Sequence, residues 1–150
     1  MKIILFEPQI PQNTGNIVRT CSVTGSSLYL VKPLGFSTSS RMLKRAGLDY
    51  WNEVNINYIE NLEEFLTPEK RFYFFSIQGK KSYTEIAYQP NDYLIFGSEV
   101  SGLPLLFHQK YPDLFCKVPM KENSRCLNLA NTVAIVLYET LRQQNFNFHA

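Results

Sequence analysis

The sequence predicts an α/β domain with a mostly parallel sheet and flanking helices. Short β-rich runs alternate with segments of helical period along the whole 150-residue chain, the pattern that crossover connections between parallel strands impose. Three of the loops that leave these runs hold more Pro, Gly, Asn and charged residues than a connection requires. In open α/β sheets such loops matter, because ligands sit beyond the carboxyl ends of the strands.

The elements follow in order. KIILFE (2–7) opens as a strand and passes into EPQIPQNTGNIVRTC (7–21), where two prolines hold the chain extended and Asn13 or Thr14 caps a helix over 14–24. LYLVK (28–32) is the second strand, and SRMLKRAG supplies a helix near 39–46 that Gly47 ends as a left-handed residue. VNINY (54–58) is the third strand, and Asn61 with Glu64 three residues on forms a capping box for a helix at 62–66. RFYFFS (71–76), YLIFG (93–97) and LFCKV (114–118) complete six strands, with a helix at 104–110 and a long one over 127–143. From Leu127 through Leu141 the last helix carries Leu129, Ala130, Val133, Ala134, Ile135, Val136 and Leu137, which cover more than one stripe. It is either a central core helix or one that packs on its own sheet and on a partner chain.

Composition narrows the classes. At 45% hydrophobic and 19% charged residues the chain reads as globular, and its length suits a single domain over 1–150 without repeats or a dividing linker. No run approaches the roughly 18 apolar residues of a membrane helix, and Glu7 and Pro8 interrupt MKIILFEPQ, so the expected address is the cytoplasm. Cys21, Cys116 and Cys126 are odd in number and far apart, without a CxxC pair or a His cluster, which disfavours disulfides and any metal site. A net charge of +2 does not by itself announce nucleic-acid binding, so any basic surface must be local.

The chemistry concentrates in the three loops. Arg19 lies among Ile17, Val18 and Val23, where a guanidinium must snorkel, pair or meet an anion. FGSEVSGLP (96–104) places Gly97 and Gly102 for close backbone approach and Glu99 as a carboxylate at a strand end. It is neither GxGxxG nor a P-loop, so dinucleotide and nucleoside-triphosphate sites are disfavoured. In CKVPMKENSRCLNLAN (116–131), Ser124, Cys126 and Asn128 offer polar atoms near the start of the last helix. A catalytic Cys126 would need His108 or His149 as its base. A small residue at a helix entrance is the simpler reading.

These three loops resemble the three motifs of the SPOUT superfamily, in particular its small single-domain tRNA 2′-O-methyltransferases. IPQNTGNIVRTC, FGSEVSGLP and VPMKENSRCLNLANTVAIVLYE carry the likeness, and KPLGFSTSSRMLKRAGLDYW (32–51) extends it over nearly the whole chain. The resemblance implies a C-terminal deep trefoil knot, an S-adenosylmethionine pocket formed by it, no metal, and an obligate homodimer with the active site at the interface. It implies cofactor contacts at Phe75, Gly97, Val118 and Cys126, many of them through the backbone. Serine is common in the family where this chain has Cys126.

Arg19 and Asn13 match the pair that the family brings to the ribose from the opposite subunit, and Glu99 and Asn128 match the groups that complete the site by bonding Arg19, ribose or cofactor. A charged guanidinium has no lone pair, so Arg19 suits an orienting and charge-stabilising role better than that of a base. The implied substrate is the anticodon stem-loop of tRNA, methylated at the ribose of cytidine 34 or modified uridine 34. The alternatives are another tRNA or rRNA site, or a non-catalytic RNA-binding module of the same fold. Lys32, Arg41, Lys44 and Arg45, with Lys80 and Lys81 elsewhere, are candidates for phosphate contacts or simply a solvated surface. Tyr50 and Trp51 could stack a base or pack in the core.

Overall fold

The computed structural model describes residues 1–148, with the side chains of residues 47 and 48 outside the description. Seven strands form one sheet in the order β3-β2-β1-β6-β4-β7-β5. They are β1 (Lys2–Phe6), β2 (Ser27–Val31), β3 (Ile56–Ile59), β4 (Phe72–Phe75), β5 (Lys81–Ser82), β6 (Tyr93–Gly97) and β7 (Phe115–Lys117). Every pairing is parallel. The helices are α1 (Pro11–Thr24), α2 (Arg41–Gly47), α3 (Leu62–Phe65), α4 (Leu105–Lys110) and α5 (Leu129–Gln143).

Strand alternation sorts the core into two layers. Ile3 and Leu5 of β1, Leu28 and Leu30 of β2 and Leu94 and Phe96 of β6 face Ile17, Val18 and Cys21 of α1 and Val133, Val136 and Leu137 of α5. The alternate residues Ile4, Val31, Phe74 and Ile95 face Leu62, Leu103 and Phe107 on the other side. With both faces covered, the central strands are apolar at nearly every position, as parallel sheets require.

The six expected strands are present within two residues of their expected ends. The seventh, Lys81–Ser82, pairs with β7 at the sheet edge and is too short to show a period. α1 corrects the expected cap. It starts at Pro11, whose fixed φ suits the first helical position, so Ile10 is the N-cap without a side-chain bond and Asn13 and Thr14 lie buried in the first turn. Asn61 does cap α3, its Oδ1 accepting from Glu64 N at 3.1 Å. The left-handed conformation expected of Gly47 lies outside the described residues, as does His149. Tyr50 and Trp51 sit in a 3₁₀ segment, half-buried against the first core layer.

Four neighbouring strand exits set up the site. β1, β6, β4 and β7 are consecutive in the sheet, so the loops leaving Phe6, Gly97, Phe75 and Lys117 emerge side by side. The loop after β4 turns back hard against β7: Ser76 N donates to Cys116 O at 2.9 Å and Lys80 N to Phe115 O at 3.1 Å. A Cβ at Gly79 would overlap the Cys116 carbonyl, so only glycine permits this close approach.

Candidate active site

A cavity of about 550 Å³ opens where those four loops meet. Its walls include Phe75 and Gly97 at the strand ends, Val118, Cys126 and Asn128 along the segment after β7, and Asn13 and Glu99 from the first two loops. Of the residues implied by the resemblance, Arg19 stands apart. It is exposed on α1, outside the cavity walls, with its guanidinium 5.4 Å from the centroid of the Tyr50 ring.

Gly97 sets the floor. It pairs in register with Phe6 and has φ +112, and a Cβ there would lie 2.8 Å from Phe6 O. Both the dihedral and the contact restrict the position to glycine. Gly102, at φ +67, meets no steric limit from neighbours but needs the left-handed conformation to close the loop, its N donating to Ser98 O at 3.1 Å.

One wall is a chain of hydrogen bonds that fixes each amide orientation. The Asn128 Oδ1 caps α5, accepting from Ala130 N at 2.9 Å and Asn131 N at 3.3 Å. Its Nδ2 is therefore the donor to Asn13 Oδ1, at 2.9 Å. Asn13 Nδ2 then points to Glu99 Oε1 at 3.5 Å. Glu99 spends its remaining capacity on the backbone, accepting from Gln9 N at 3.0 Å and Ile10 N at 3.2 Å. The carboxylate thus lies at the start of α1, where exposed N–H groups favour negative charge.

Within one chain Glu99 bonds Gln9, Ile10 and Asn13, while Arg19 lies more than a turn further along α1. Asn13 lines the cavity of its own chain, where its place in the first turn turns it toward Asn128.

The thiols divide by burial. Desolvation pushes Cys21 up to about 12 and Cys116 up to about 11, so neither is a nucleophile near neutral pH. Cys126 is exposed in the cavity wall. His108 also reaches this wall and is half-buried. Its ring stacks on Phe115 with centroids 4.0 Å apart. Among the described residues no hydrogen bond joins it to Cys126, and no group of three or more His, Cys, Asp or Glu is placed to hold a metal.

Sequence reasoning missed Gln9, Ser98 and Ser101. Ser98 Oγ donates to Gln9 Oε1 at 3.1 Å and lies 2.8 Å from Ser101 Oγ, inside the turn that presents Glu99. The two serines three apart around Glu99 were a readable sign of a hydroxyl-braced turn. Gln9 had no such sign.

An all-parallel sheet with a cavity at adjacent strand exits and a glycine floor agrees with the SPOUT resemblance carried by the three loops. The chain matches the SpoU rRNA Methylase family over residues 1–138, and it belongs to that family. It is 43% identical to a tRNA (cytidine(34)-2′-O)-methyltransferase of Methylovorus glucosotrophus, covering 96% of each chain. A structure described as giving insight into 2-OH methylation of C/U34 on tRNA superposes with TM-score 0.89 at 41% identity, over 96% of this chain and 95% of that one. The fold is also that of the AdoMet-bound rRNA methyltransferase from Sinorhizobium meliloti, with TM-score 0.82 at 24% identity over 94% of this chain and 55% of that one.

Proposed function

We propose that this protein transfers a methyl group from S-adenosylmethionine to the ribose 2′-hydroxyl of the tRNA wobble nucleoside, cytidine 34 or modified uridine 34. The observation that carries the reading is the cavity itself, with its glycine floor and its Asn128–Asn13–Glu99 wall. Full-length similarity to a relative named for that reaction supports the substrate.

The cavity suits the cofactor. Its volume of about 550 Å³ lies within the range of small-molecule pockets, which combine an apolar lining with a few placed polar groups. Phe96, Val118, Leu127 and Leu129 offer the apolar lining, and the backbone at Gly97 allows close approach. When bound, S-adenosylmethionine supplies a methyl group already activated on a sulfonium, so the site needs no protein nucleophile. The protein's part is placement and exclusion of water. Asn13, Asn128 and Glu99 hold the wall that faces the ribose, and their mutual bonds keep it from rearranging.

Arg19 completes the site from a second copy of the chain. It is exposed and outside its own cavity, and α5 leaves Ala134 and Ile135 half-buried and Tyr138 43% exposed beside its buried stripe. A homodimer that covers this face and brings Arg19 to the partner's cavity accounts for both. There the guanidinium orients the ribose and stabilises charge developing on its oxygen. The single domain over 1–150 is read as carrying the deep trefoil knot that the resemblance implies. The anticodon stem-loop meets the exposed Arg41, Lys44 and Arg45 of α2. Lys32 is less available, being paired with Glu60 at 3.0 Å. A tRNA substrate supports a cytoplasmic address. No helix of the described residues is long and apolar enough to cross a membrane.

The test is incubation with labelled S-adenosylmethionine and tRNA lacking ribose methylation, followed by mapping of the product. The expected label is on the ribose of nucleoside 34. Label on a base, on ribosomal RNA instead, or on nothing despite cofactor binding overturns the reading.

A further inference from the structure

We infer that Gln9 is a positioning residue that fixes the shape of the cofactor-facing loop 97–102. The inference rests on the methyltransferase reading of the cavity. Gln9 is not in the cavity wall, whereas every residue from Gly97 through Leu103 is. It acts by holding that loop.

The geometry is reciprocal. Gln9 Oε1 accepts from Ser98 Oγ at 3.1 Å and from Val100 N at 3.3 Å, so one carbonyl oxygen gathers both shoulders of the turn. In return Glu99, at the tip, accepts from Gln9 N at 3.0 Å and Ile10 N at 3.2 Å. A hydroxyl has one proton. With Ser98 Oγ–H committed to Gln9, Ser101 Oγ–H is the donor in the 2.8 Å contact with Ser98, and Ser101 N adds a bond to the same oxygen at 3.3 Å. Without the Gln9 acceptor this proton order has no anchor, and the Val100 amide loses its partner.

The stem of Gln9 is itself clamped. Gly35 N donates to Pro8 O at 2.9 Å, and a Cβ on Gly35 would lie 2.8 Å from Gln9 Cα and 3.3 Å from its Cβ. The segment that leads to the basic helix α2 therefore presses directly on the residue that shapes the cofactor loop. Gln9 is the point where the first loop, the second loop and the substrate-side segment meet.

The test compares Gln9→Ala, Gln9→Met and Gln9→Glu. Gln9→Ala and Gln9→Met lack the acceptor and leave the Ser98 hydroxyl and the Val100 amide unpaired, so both are expected to raise the Kd for S-adenosylhomocysteine about tenfold by calorimetry. Gln9→Glu keeps an acceptor at the same reach and is expected to stay within about threefold of the parent protein. Gln9→Ala and Ser98→Ala combined are expected to cost less than the sum of the two, because they remove one shared bond. Exchange of the Val100 amide, read without any ligand, is expected to speed up in Gln9→Ala and Gln9→Met and not in Gln9→Glu.

Unchanged Val100 exchange in Gln9→Met, or parental affinity in that variant, overturns the inference. So does equal loss of affinity in all three variants, which would make the side chain a packing element only. Failure of the parent protein to bind S-adenosylhomocysteine would instead overturn the methyltransferase reading, and Val100 exchange would still judge the role of Gln9.

Discussion

Two walls of the same cavity are built in opposite ways. Loop 97–102 is held by Gln9, by the serine pair and by the Glu99 carboxylate, with glycine at the two positions where the backbone demands it. Segment 119–128 is exposed at every residue, and among the described residues its internal bonds are the two from Ser124 to Lys121 O. Only at Asn128, where α5 begins, does it join the network. One wall is therefore organised before anything binds. The other has few bonds to break and costs little to move locally.

The sharpest way to break this comparison is to remove the rigidity of the first wall. Gly97→Ala places a methyl 2.8 Å from Phe6 O at a φ of +112, and the expected cost is roughly 3 kcal/mol of stability with loss of cofactor binding. Glu122→Ala in the second wall, where the side chain is exposed, is expected to change stability by no more than about 0.5 kcal/mol. Denaturant titration of both variants, with S-adenosylhomocysteine calorimetry, checks the pair. Equal effects would dissolve the contrast.

Arg19→Ala comes next. Because Arg19 lies outside the cavity of its own chain, turnover is expected to fall by about 10²–10³ while S-adenosylhomocysteine affinity stays within about twofold. Steady-state rates and calorimetry separate the two. Loss of both together would make the arginine a structural residue of α1.

The same contrast explains what the sequence made legible. The sheet was readable because both of its faces are buried, so its central strands are apolar runs, and the glycine at 97 stood out because a glycine closing an apolar run marks a place for close backbone approach. Gln9 was not readable, since its role lies in a contact with Ser98 and Val100, some ninety positions away, that no local pattern encodes. The start of α1 was misplaced for a related reason: a proline was read as extended chain when it was the first helical residue. Asn13 consequently looked like a cap, and its partnership with Asn128, 115 residues on, was invisible. The α5 stripe was legible as apolar on more than one side, but a sequence alone left open whether the second side meets the core or another chain.

Asn128 joins the two walls, and two substitutions divide its roles. Asn128→Ala removes the α5 cap, expected to cost about 1 kcal/mol, and also removes the donor to Asn13. Asn128→Asp keeps an oxygen that can cap α5 but turns a carboxylate oxygen toward Asn13 Oδ1, so stability is expected to hold while turnover falls at least tenfold. Thermal unfolding beside steady-state rates reads the difference. If Asn128→Asp retains full turnover, the bond to Asn13 has no bearing on the reaction.

The smallest expected effect falls at Cys126, in the loosely held wall. It is the exposed thiol of the three, and burial holds Cys21 and Cys116 well above neutrality, so mild alkylation of the folded protein is expected to modify one equivalent, at Cys126. Because Cys126 lines the cavity, S-adenosylhomocysteine is expected to slow the labelling, whereas a thiol on the outer surface would react at the same rate with or without it. Cys126→Ser keeps the size and the backbone and removes the thiol, and methylation is expected to continue within about threefold of the parent rate. A nucleophile gives the opposite result: replacing its sulfur with a hydroxyl, with no bonded histidine to activate it, would stop turnover. A wall residue in a loosely held segment leaves turnover nearly unchanged, because the contact it contributes is position rather than chemistry.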